Sequence, residues 1–193
     1  MPNHRGASLA VCFDSTLLHI VSGHSPDDNL RKCPGGKFDA IDQALSEQET
    51  ALNCVIRELR METGLTEEHL QLGFIPIHTR PAGTRHEPFM QYSFLTVLHE
   101  GVILPKHSEE ELEIGDIKFE HIDTVLRNVF LRKGNVERFN PYHSQALVRC
   151  LFYLRKTIAG DNAFRNFNDC IKNIKGLDTY IDEVTNKTRT GQL

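Results

Sequence analysis

The pattern of apolar and polar positions predicts short strands at the start of the chain. Residues 7–13 and 17–21 are apolar and rich in β-branched side chains, and the polar pair between them indicates a hairpin. Residues 22–32 are polar and include glycine and proline, so we predict a loop there. The chain therefore begins with a β-hairpin that leads into a longer connection.

A central helix is predicted over residues 47–63, because apolar side chains recur there at helical spacing and Gly64 follows as a C-cap would. The later elements are strands at residues 70–78, 89–99 and 113–122, and helices at residues 141–158 and 162–174. The stretch that joins the first two of these strands holds Arg80 and Arg85 and is predicted to be a loop. Strands on both sides of one helix, followed by terminal helices, indicate a mixed α/β sandwich.

Two features of the central segment indicate a site for a metal ion and phosphate. Glu58 and Glu62 lie four residues apart, so they stack about 6 Å apart on one edge of the predicted helix. Two such carboxylates repel each other, and a hard cation such as Mg²⁺ or Mn²⁺ relieves that repulsion. The Gly35-Gly36 pair allows backbone groups to converge on an ion or a phosphate. Taken singly, each feature is also explained by a solvated helix face or an ordinary turn.

The segment from Gly35 to Leu65 resembles the signature of the Nudix hydrolase family. That signature sets a glycine, a glutamate and the run Arg-Glu-apolar-x-Glu-Glu-x-Gly-apolar at fixed spacing. The matching positions are Glu49, Arg57, Glu58, Leu59, Glu62, Gly64 and Leu65. The resemblance extends over roughly residues 5–160 of the chain.

The resemblance implies a Nudix-like α/β/α sandwich with a mixed sheet, plus C-terminal helices. It also implies hydrolysis of a pyrophosphate bond in a nucleoside diphosphate that is linked to another group, with Mg²⁺ or Mn²⁺ as the cofactor. The metal ligands it implies are Glu58, Glu62 and the carbonyl of Gly35, the two glutamates also being catalytic. A downstream glutamate acts as base or ligand in many members, and the acidic residues 109–111 supply the nearest candidates, of which we take Glu110.

Three basic residues near this segment are predicted to bind the substrate. Lys37 follows the glycines, and Arg80 and Arg85 lie in the predicted connecting loop, where cations could hold phosphates. An exposed loop and a surface lysine are the alternative interpretations of these residues.

Two departures from the signature bear on catalysis. Met61 stands where a glutamate is expected, and it can neither bind Mg²⁺ nor accept a proton. By rotation it faces away from the apolar stripe of the helix, so core packing does not explain it. The resemblance also implies that Arg57 pairs with Glu49, yet twelve residues separate Gly36 from Glu49 where the family has five. Five residues separate Gly36 from Asp42, which is the family's spacing. The seven extra residues therefore lie either before Glu49 or just after Asp42.

Length, composition and charge limit the domain organisation, partners and localisation that we expect. A chain of 193 residues is typical of one domain, and we assign residues 1–160 to a Nudix-like hydrolase domain and residues 161–193 to a helical extension and tail that pack on it.

A net charge of −4 without a basic run makes nucleic acid an unlikely partner, and no apolar stretch approaches the ~20 residues of a membrane span. Five scattered cysteines and the absence of a signal-peptide pattern predict reduced thiols in the cytoplasm. The apolar strands and terminal helix are compatible with a homodimer.

The first functional hypothesis is therefore a pyrophosphohydrolase that acts on a small-molecule nucleotide derivative. The alternative is a catalytically weak or inactive Nudix-fold module that binds a nucleotide or a protein partner, which Met61 and the long loop favour. Retention of Glu58, Glu62 and Arg57 favours the enzyme. An RNA-processing enzyme is less favoured, because the chain has no basic patch to follow RNA.

Overall fold

A computed structural model describes residues 4–26, 29–83, 88–104, 114–130 and 138–172 of the chain. The strands in these ranges are β1 (Gly6–Phe13), β2 (His19–Ser25), β3 (Leu30–Lys32), β4 (Gly35–Lys37), β5 (Leu70–Gly83), β6 (Pro88–Leu98), β7 (Gly115–His121) and β8 (Arg138–Phe139). The helices are α1 (Glu47–Thr63), α2 (Ile122–Phe130), α3 (Pro141–Thr157) and α4 (Arg165–Lys172).

The described strands form one mixed sheet, in the order β5-β6-β1-β2-β3-β8, with β4 paired to β1 and β7 paired to β2. β1 and β6 are parallel along the full length of β1, and β5 runs antiparallel to β6. Every residue of β1 is buried, because this strand has a neighbour on each edge and a helix on each face. β1 is therefore the centre of the fold.

The two faces of the sheet carry separate apolar cores. Leu9 and Val11 of β1 belong to a cluster that includes Leu147 and Leu151 of α3. The alternate residue Ala10 belongs to a second cluster, which includes Val55 and Leu59 of α1. This alternation is the period of two that a strand covered on both faces requires. The predicted α/β/α sandwich with a mixed sheet is confirmed.

The ends of α1 explain why the central helix has its predicted bounds. The Ser46 side chain accepts a hydrogen bond from the Glu49 N–H at 3.2 Å, which caps the first turn. Gly64 ends the helix in the left-handed region with a φ of 70°, where a side chain would be strained. The helix over residues 47–63 is thus confirmed at both ends.

Two predicted loops are wrong in part. The loop predicted over residues 22–32 instead continues β2 to Ser25 and contains β3, and its buried polar side chains are satisfied by hydrogen bonds. Arg80 lies within β5, opposite Gln91 of β6, and not in the connecting loop. In both places, pairing with neighbouring strands outweighs the polar composition. The helix α2 was not predicted at all.

The C-terminal elements join the same core. The helices predicted over residues 141–158 and 162–174 are confirmed as α3 and α4, and Phe167 and Ile171 of α4 are buried in the cluster beneath α3. The boundary at residue 160 stays a prediction, and residues 173–193 lie outside the described ranges.

All five cysteines are free thiols. None of the helices in the described part of the chain is long and apolar enough to cross a lipid bilayer.

One buried ion-pair network ties β2, β3 and β7 together. Arg31 is 1% exposed, and its Nε donates to Glu120 Oε2 at 2.7 Å while its Nη1 reaches Asp116 Oδ2 at 2.8 Å. Ser22 also hydrogen-bonds to Glu120 within this network. A buried charge pair of this kind contributes less than its Coulomb attraction suggests, but losing one partner leaves the other charge unpaired in the interior.

We expect Arg31→Met to lower the free energy of unfolding by about 3–5 kcal/mol, because Glu120 is then left as a buried charge without its guanidinium. Chemical denaturation at neutral pH measures this. The matched control is Arg165→Met, an exposed residue of α4, which we expect to change stability by less than about 0.5 kcal/mol. Equal stabilities of the two variants would contradict the role assigned to Arg31.

Candidate functional site

The glycine pair before α1 lies in close contact with β1 and with α1. A Cβ on Gly35 would collide with the Ser8 carbonyl and with Leu9 of β1, and a Cβ on Gly36 would collide with the Glu58 carboxylate. β4 pairs with β1 here, and the Ala10 N–H donates to the Pro34 carbonyl at 2.8 Å. The glycines therefore allow α1 and the central strand to approach the turn closely.

The two helix carboxylates meet at this turn, as the sequence predicts. Glu58 and Glu62 are 8% and 4% exposed, so both are largely withdrawn from water. Glu62 Oε2 accepts a hydrogen bond from the Gly35 N–H at 2.8 Å, and Glu58 packs against Gly36. The structure thus brings together Gly35, Glu58 and Glu62. Within the described ranges, however, no group of three His, Cys, Asp or Glu side chains has the geometry of a metal site.

Arg57 braces the turn beside Glu58, with Asp42 as its main partner. Its Nε and Nη2 donate to the two carboxylate oxygens of Asp42, each at 2.8 Å, and its Nη2 also donates to the Lys37 carbonyl at 3.1 Å. The pairing of Arg57 with Glu49 is therefore wrong. Glu49 is exposed in the first turn of α1, whereas five residues separate Asp42 from Gly36. The extra residues of this chain consequently lie between Asp42 and Glu49.

Asp42 is buried, yet it is held in its charged form. Burial alone raises the pKa of its carboxyl, but the hydrogen bonds from Arg57 and from the Asp39 N–H lower it by more, so the pKa lies below its ordinary value. Asp39 also caps the short 3-10 turn over residues 40–42. Through Asp42, the glycine turn, the inserted residues and α1 are therefore connected to the guanidinium of Arg57.

Met61 occupies the border of the site without contributing a charge. Its side chain is 58% exposed, as its position away from the apolar stripe predicts, and its sulfur lies 3.6 Å from Arg57 Nη1. The same Arg57 nitrogen forms an ion pair with Glu58 Oε1 at 2.8 Å. The site therefore has two carboxylates where the family signature provides three, and one of the two is partly neutralised.

The four other predicted site residues have different positions. Lys37 is exposed at the end of β4, beside the turn. Arg80 lies three strands away on β5, where its Nε donates to Gln91 Oε1 at 2.8 Å. Arg85 and Glu110 lie outside the described residues, so their predicted roles stay predictions.

The start of α3 also contacts the glycine turn, which sequence analysis missed. The Cys33 N–H donates to His143 Nδ1 at 3.1 Å, and the neighbouring Tyr142 lies against Arg80. The Asn140-Pro141 pair is a recognisable helix start, and Asn140 caps the Tyr142 and His143 N–H groups. That signal locates the helix in the sequence but carries no information on which turn it contacts.

Comparison with a family model assigns the fold. The NUDIX domain model matches residues 2–139 of the chain. The chain belongs to the Nudix family. No curated protein matches it in a sequence comparison.

Solved structures share the fold of this Nudix protein at low sequence identity. The C. elegans Ap4A hydrolase in a binary complex is 14% identical with a TM-score of 0.55, and the match covers 79% of this chain and 98% of the hydrolase. The E. coli dihydroneopterin triphosphate pyrophosphohydrolase is 14% identical with a TM-score of 0.53, and the match covers 76% of this chain and 95% of that enzyme. The NUDIX domain of Shewanella oneidensis NrtR, complexed with ADP ribose, is also 14% identical with a TM-score of 0.53, and the match covers 80% of this chain and 90% of that domain.

We expect Asp42→Asn to destabilise this Nudix protein by about 1.5–3 kcal/mol at pH 7, because the charged hydrogen bonds to Arg57 are lost. The pKa of Asp42 is depressed in the folded state, so its contribution is present above the ordinary Asp pKa of about 4 and is lost as the pH falls through the folded value. The difference between wild type and variant should therefore shrink on acidification. Thermal and urea unfolding between neutral and acidic pH measure it.

Glu49→Gln is the matched control, because Glu49 is the exposed carboxylate that the signature spacing would have chosen. We expect it to cost no more than about 0.5 kcal/mol. A larger loss in Glu49→Gln than in Asp42→Asn would show that Arg57 depends on Glu49 in solution.

Proposed function

We propose that this protein hydrolyses a pyrophosphate bond in a nucleoside diphosphate linked to another group, with Mg²⁺ or Mn²⁺ as the cofactor. The observation that carries the proposal is the placement of two buried carboxylates, Glu58 and Glu62, against a glycine turn in which a side chain at Gly36 would displace the Glu58 carboxylate. In this proposal Glu58, Glu62 and the Gly35 carbonyl hold the metal.

The donor set suits a hard divalent cation. Two buried carboxylates four residues apart repel each other, and a divalent cation bound by both would lower that repulsion in addition to the Arg57 contact with Glu58. Mg²⁺ is commonly bound by one or two carboxylates together with water and substrate phosphates, so a third side-chain carboxylate is not required. The metal, when bound, would neutralise phosphate charge and acidify the attacking water.

The remaining assignments complete the proposal. Glu110 acts as the further catalytic acid or base, and Lys37, Arg80 and Arg85 bind the phosphates of the substrate. The names of the structural neighbours support the substrate class, since Ap4A, dihydroneopterin triphosphate and ADP ribose all contain linked phosphate groups. Action in the cytoplasm and assembly as a homodimer stay predictions.

A second candidate function is a Nudix-fold module that binds a nucleotide or a protein partner with little or no turnover. The exposed Met61 and the ion pair between Arg57 and Glu58 favour it, because both reduce the negative charge available to a metal. The two candidates predict different results for the glutamate substitutions below.

We expect Glu62→Gln to lower metal-dependent hydrolysis by about 10²-fold or more while the protein stays folded. The amide oxygen can still accept the hydrogen bond from Gly35, but it has no charge to offer a cation. The assay follows released phosphate and nucleoside monophosphate from nucleoside triphosphates, nucleotide sugars, dinucleoside polyphosphates and ADP-ribose, with Mg²⁺ and with Mn²⁺. The control is Glu67→Gln, an exposed glutamate just beyond α1, which should leave the rate unchanged. A Glu62→Gln variant as fast as wild type would refute the metal assignment.

Met61→Glu separates the two candidate functions. A third carboxylate beside Glu58 should lower the Mg²⁺ concentration needed for half-maximal hydrolysis if the protein is an enzyme that binds metal weakly. In the metal-free protein it should cost a few tenths of a kcal/mol through like-charge repulsion. Hydrolysis is measured against Mg²⁺ concentration for wild type and variant. Absence of turnover by both proteins across all substrates would support the binding module.

A further inference from the structure

The sulfur of Met61 is a weak partner of the Arg57 guanidinium. From Nε and Nη2 this group donates to both carboxylate oxygens of Asp42 and to the Lys37 carbonyl, at 2.8–3.1 Å. Its Nη1 lies 2.8 Å from Glu58 Oε1 and 3.6 Å from the Met61 sulfur. A thioether is a poor hydrogen-bond acceptor, so the contact with Met61 is weaker than the contacts of the guanidinium with oxygen.

Met61 is also the most accessible sulfur in the part of the chain that the structure describes. It is 58% exposed, whereas Met90 and Cys170 are half-buried. The other sulfur atoms in these ranges are fully buried, in Cys12, Cys33, Cys54 and Cys150. A small reagent dissolved in water therefore meets Met61 before the other described sulfur atoms.

The buried thiols are unreactive for a second reason, which does not apply to Met61. The thiolate is the reactive form of cysteine, and burial raises the pKa of Cys54 to about 12 and the pKa values of Cys12 and Cys33 still further. These cysteines are therefore protonated at neutral pH. A thioether has no proton to lose, so the lone pair of the Met61 sulfur is available for reaction at neutral pH.

Oxidation of this thioether by a peroxide would place an oxygen atom beside Arg57. With hydrogen peroxide, the sulfur lone pair attacks one oxygen and forms the S–O bond, the O–O bond breaks, and the second oxygen leaves as water with both protons. The sulfur loses two electrons and the peroxide gains them. The product, methionine sulfoxide, is polar and can be reduced back to methionine.

The new oxygen would lie within reach of the same guanidinium nitrogen. It is one bond away from a sulfur that is 3.6 Å from Arg57 Nη1, so rotation of the side chain brings it to hydrogen-bond distance. Met61 follows Arg57 by one turn of α1, which keeps the two side chains on one edge of the helix. A charged N–H group bonds more strongly to oxygen than to a thioether. Oxidation therefore replaces a weak partner of Arg57 by a strong one.

A stronger bond between Arg57 and residue 61 would change the balance of charge at Glu58. Arg57 Nη1 also pairs with Glu58 Oε1, and a second oxygen acceptor on that nitrogen reduces the positive charge shared with Glu58. Glu58 is largely withdrawn from water, so solvent compensates little of this loss. The carboxylates at the glycine turn would then attract a cation more strongly.

We propose that Met61 is a site of reversible oxidation, at which the sulfoxide oxygen binds Arg57 and thereby strengthens cation binding by the carboxylates beside it. The oxidant is a peroxide. The effect on the cation rests on the proposed function, because Glu58 and Glu62 are metal ligands only under that proposal. The bond between the sulfoxide and Arg57 does not depend on it.

The first measurement is the order in which the sulfur atoms react. The full chain, without metal, is treated with hydrogen peroxide at neutral pH, and peptide mapping by mass spectrometry follows each methionine and cysteine. We expect Met61 to be oxidised about tenfold faster than Met90, because oxidation follows exposure. Oxidation of Met61 no faster than that of Met90 would overturn the proposal.

Two substitutions separate oxidation of Met61 from oxidation elsewhere in the chain. Met61→Leu keeps an apolar side chain, cannot form a sulfoxide, and retains Met1, Met90 and all five cysteines. Met61→Gln carries an amide oxygen on the side-chain atom that corresponds to the sulfur, so it mimics the sulfoxide. Binding of Mn²⁺ is followed for each protein by the EPR signal of the free ion, before and after peroxide.

We expect peroxide to lower the Kd of the wild type for Mn²⁺ by about two- to fivefold, the range for a change in one ion pair. Met61→Gln should have the lower Kd without peroxide, and Met61→Leu should not respond to it. A methionine sulfoxide reductase with a dithiol should return the oxidised wild type to its initial Kd. An equal response of wild type and Met61→Leu, or a Kd that does not fall once Met61 is oxidised, would overturn the effect on the cation.

NMR of the metal-free protein distinguishes failure of this inference from failure of the proposed function. The guanidinium signals of Arg57, assigned by their absence in Arg57→Lys, report on the hydrogen bond whether or not a metal binds. We expect the Nη1 protons to exchange with water more slowly in the oxidised wild type and in Met61→Gln than in Met61→Leu. If no protein binds Mn²⁺ but this exchange slows, the proposed function fails and the oxidation site stands. Unchanged exchange would overturn the site itself.

Discussion

The close approach of α1 to the glycine turn is the constraint on which the rest of the site depends. A side chain at Gly35 would collide with the backbone of β1, and a side chain at Gly36 would displace the Glu58 carboxylate. This approach allows Glu62 to accept a hydrogen bond from the turn, and it holds both carboxylates out of water. The same turn receives His143 from the opposite face of the sheet. One segment of backbone therefore couples both helical layers.

The part of the site that is local in sequence could be predicted, and the part that depends on packing could not. Spacing along one helix is enough to place Glu58 and Glu62 on the same edge, and the cap residues determine the ends of α1. Two carboxylates in the sequence could serve Arg57, and only the structure decides between them. Asp42 is buried by a 3-10 turn that the sequence did not indicate, whereas Glu49 remains in solvent.

The prediction of strands and loops in polar stretches of the sequence is limited in the same way. Composition favoured loops over residues 22–32 and around Arg80, yet both regions contain strands. The side chains there are polar because they form buried networks, such as that of Arg31 with Glu120, or because they line a charged surface beneath α3. A polar residue in a buried strand is indistinguishable from a loop residue until its partner on a distant strand is known. Long-range pairing of charges is the information that local patterning lacks.

The charges of the site are balanced by contacts that differ from those of the family signature. Arg57 is shared by Asp42 and Glu58, and Met61 adds only a sulfur beside it. Arg57 Nε and Nη2 donate to both carboxylate oxygens of Asp42, and its Nη1 lies 2.8 Å from Glu58 Oε1. The contact with Glu58 lowers the local negative charge that a divalent cation would meet. Under the proposed function, metal affinity would be set jointly by the missing carboxylate and by the position of Arg57, and restoring the carboxylate alone would correct only one of the two.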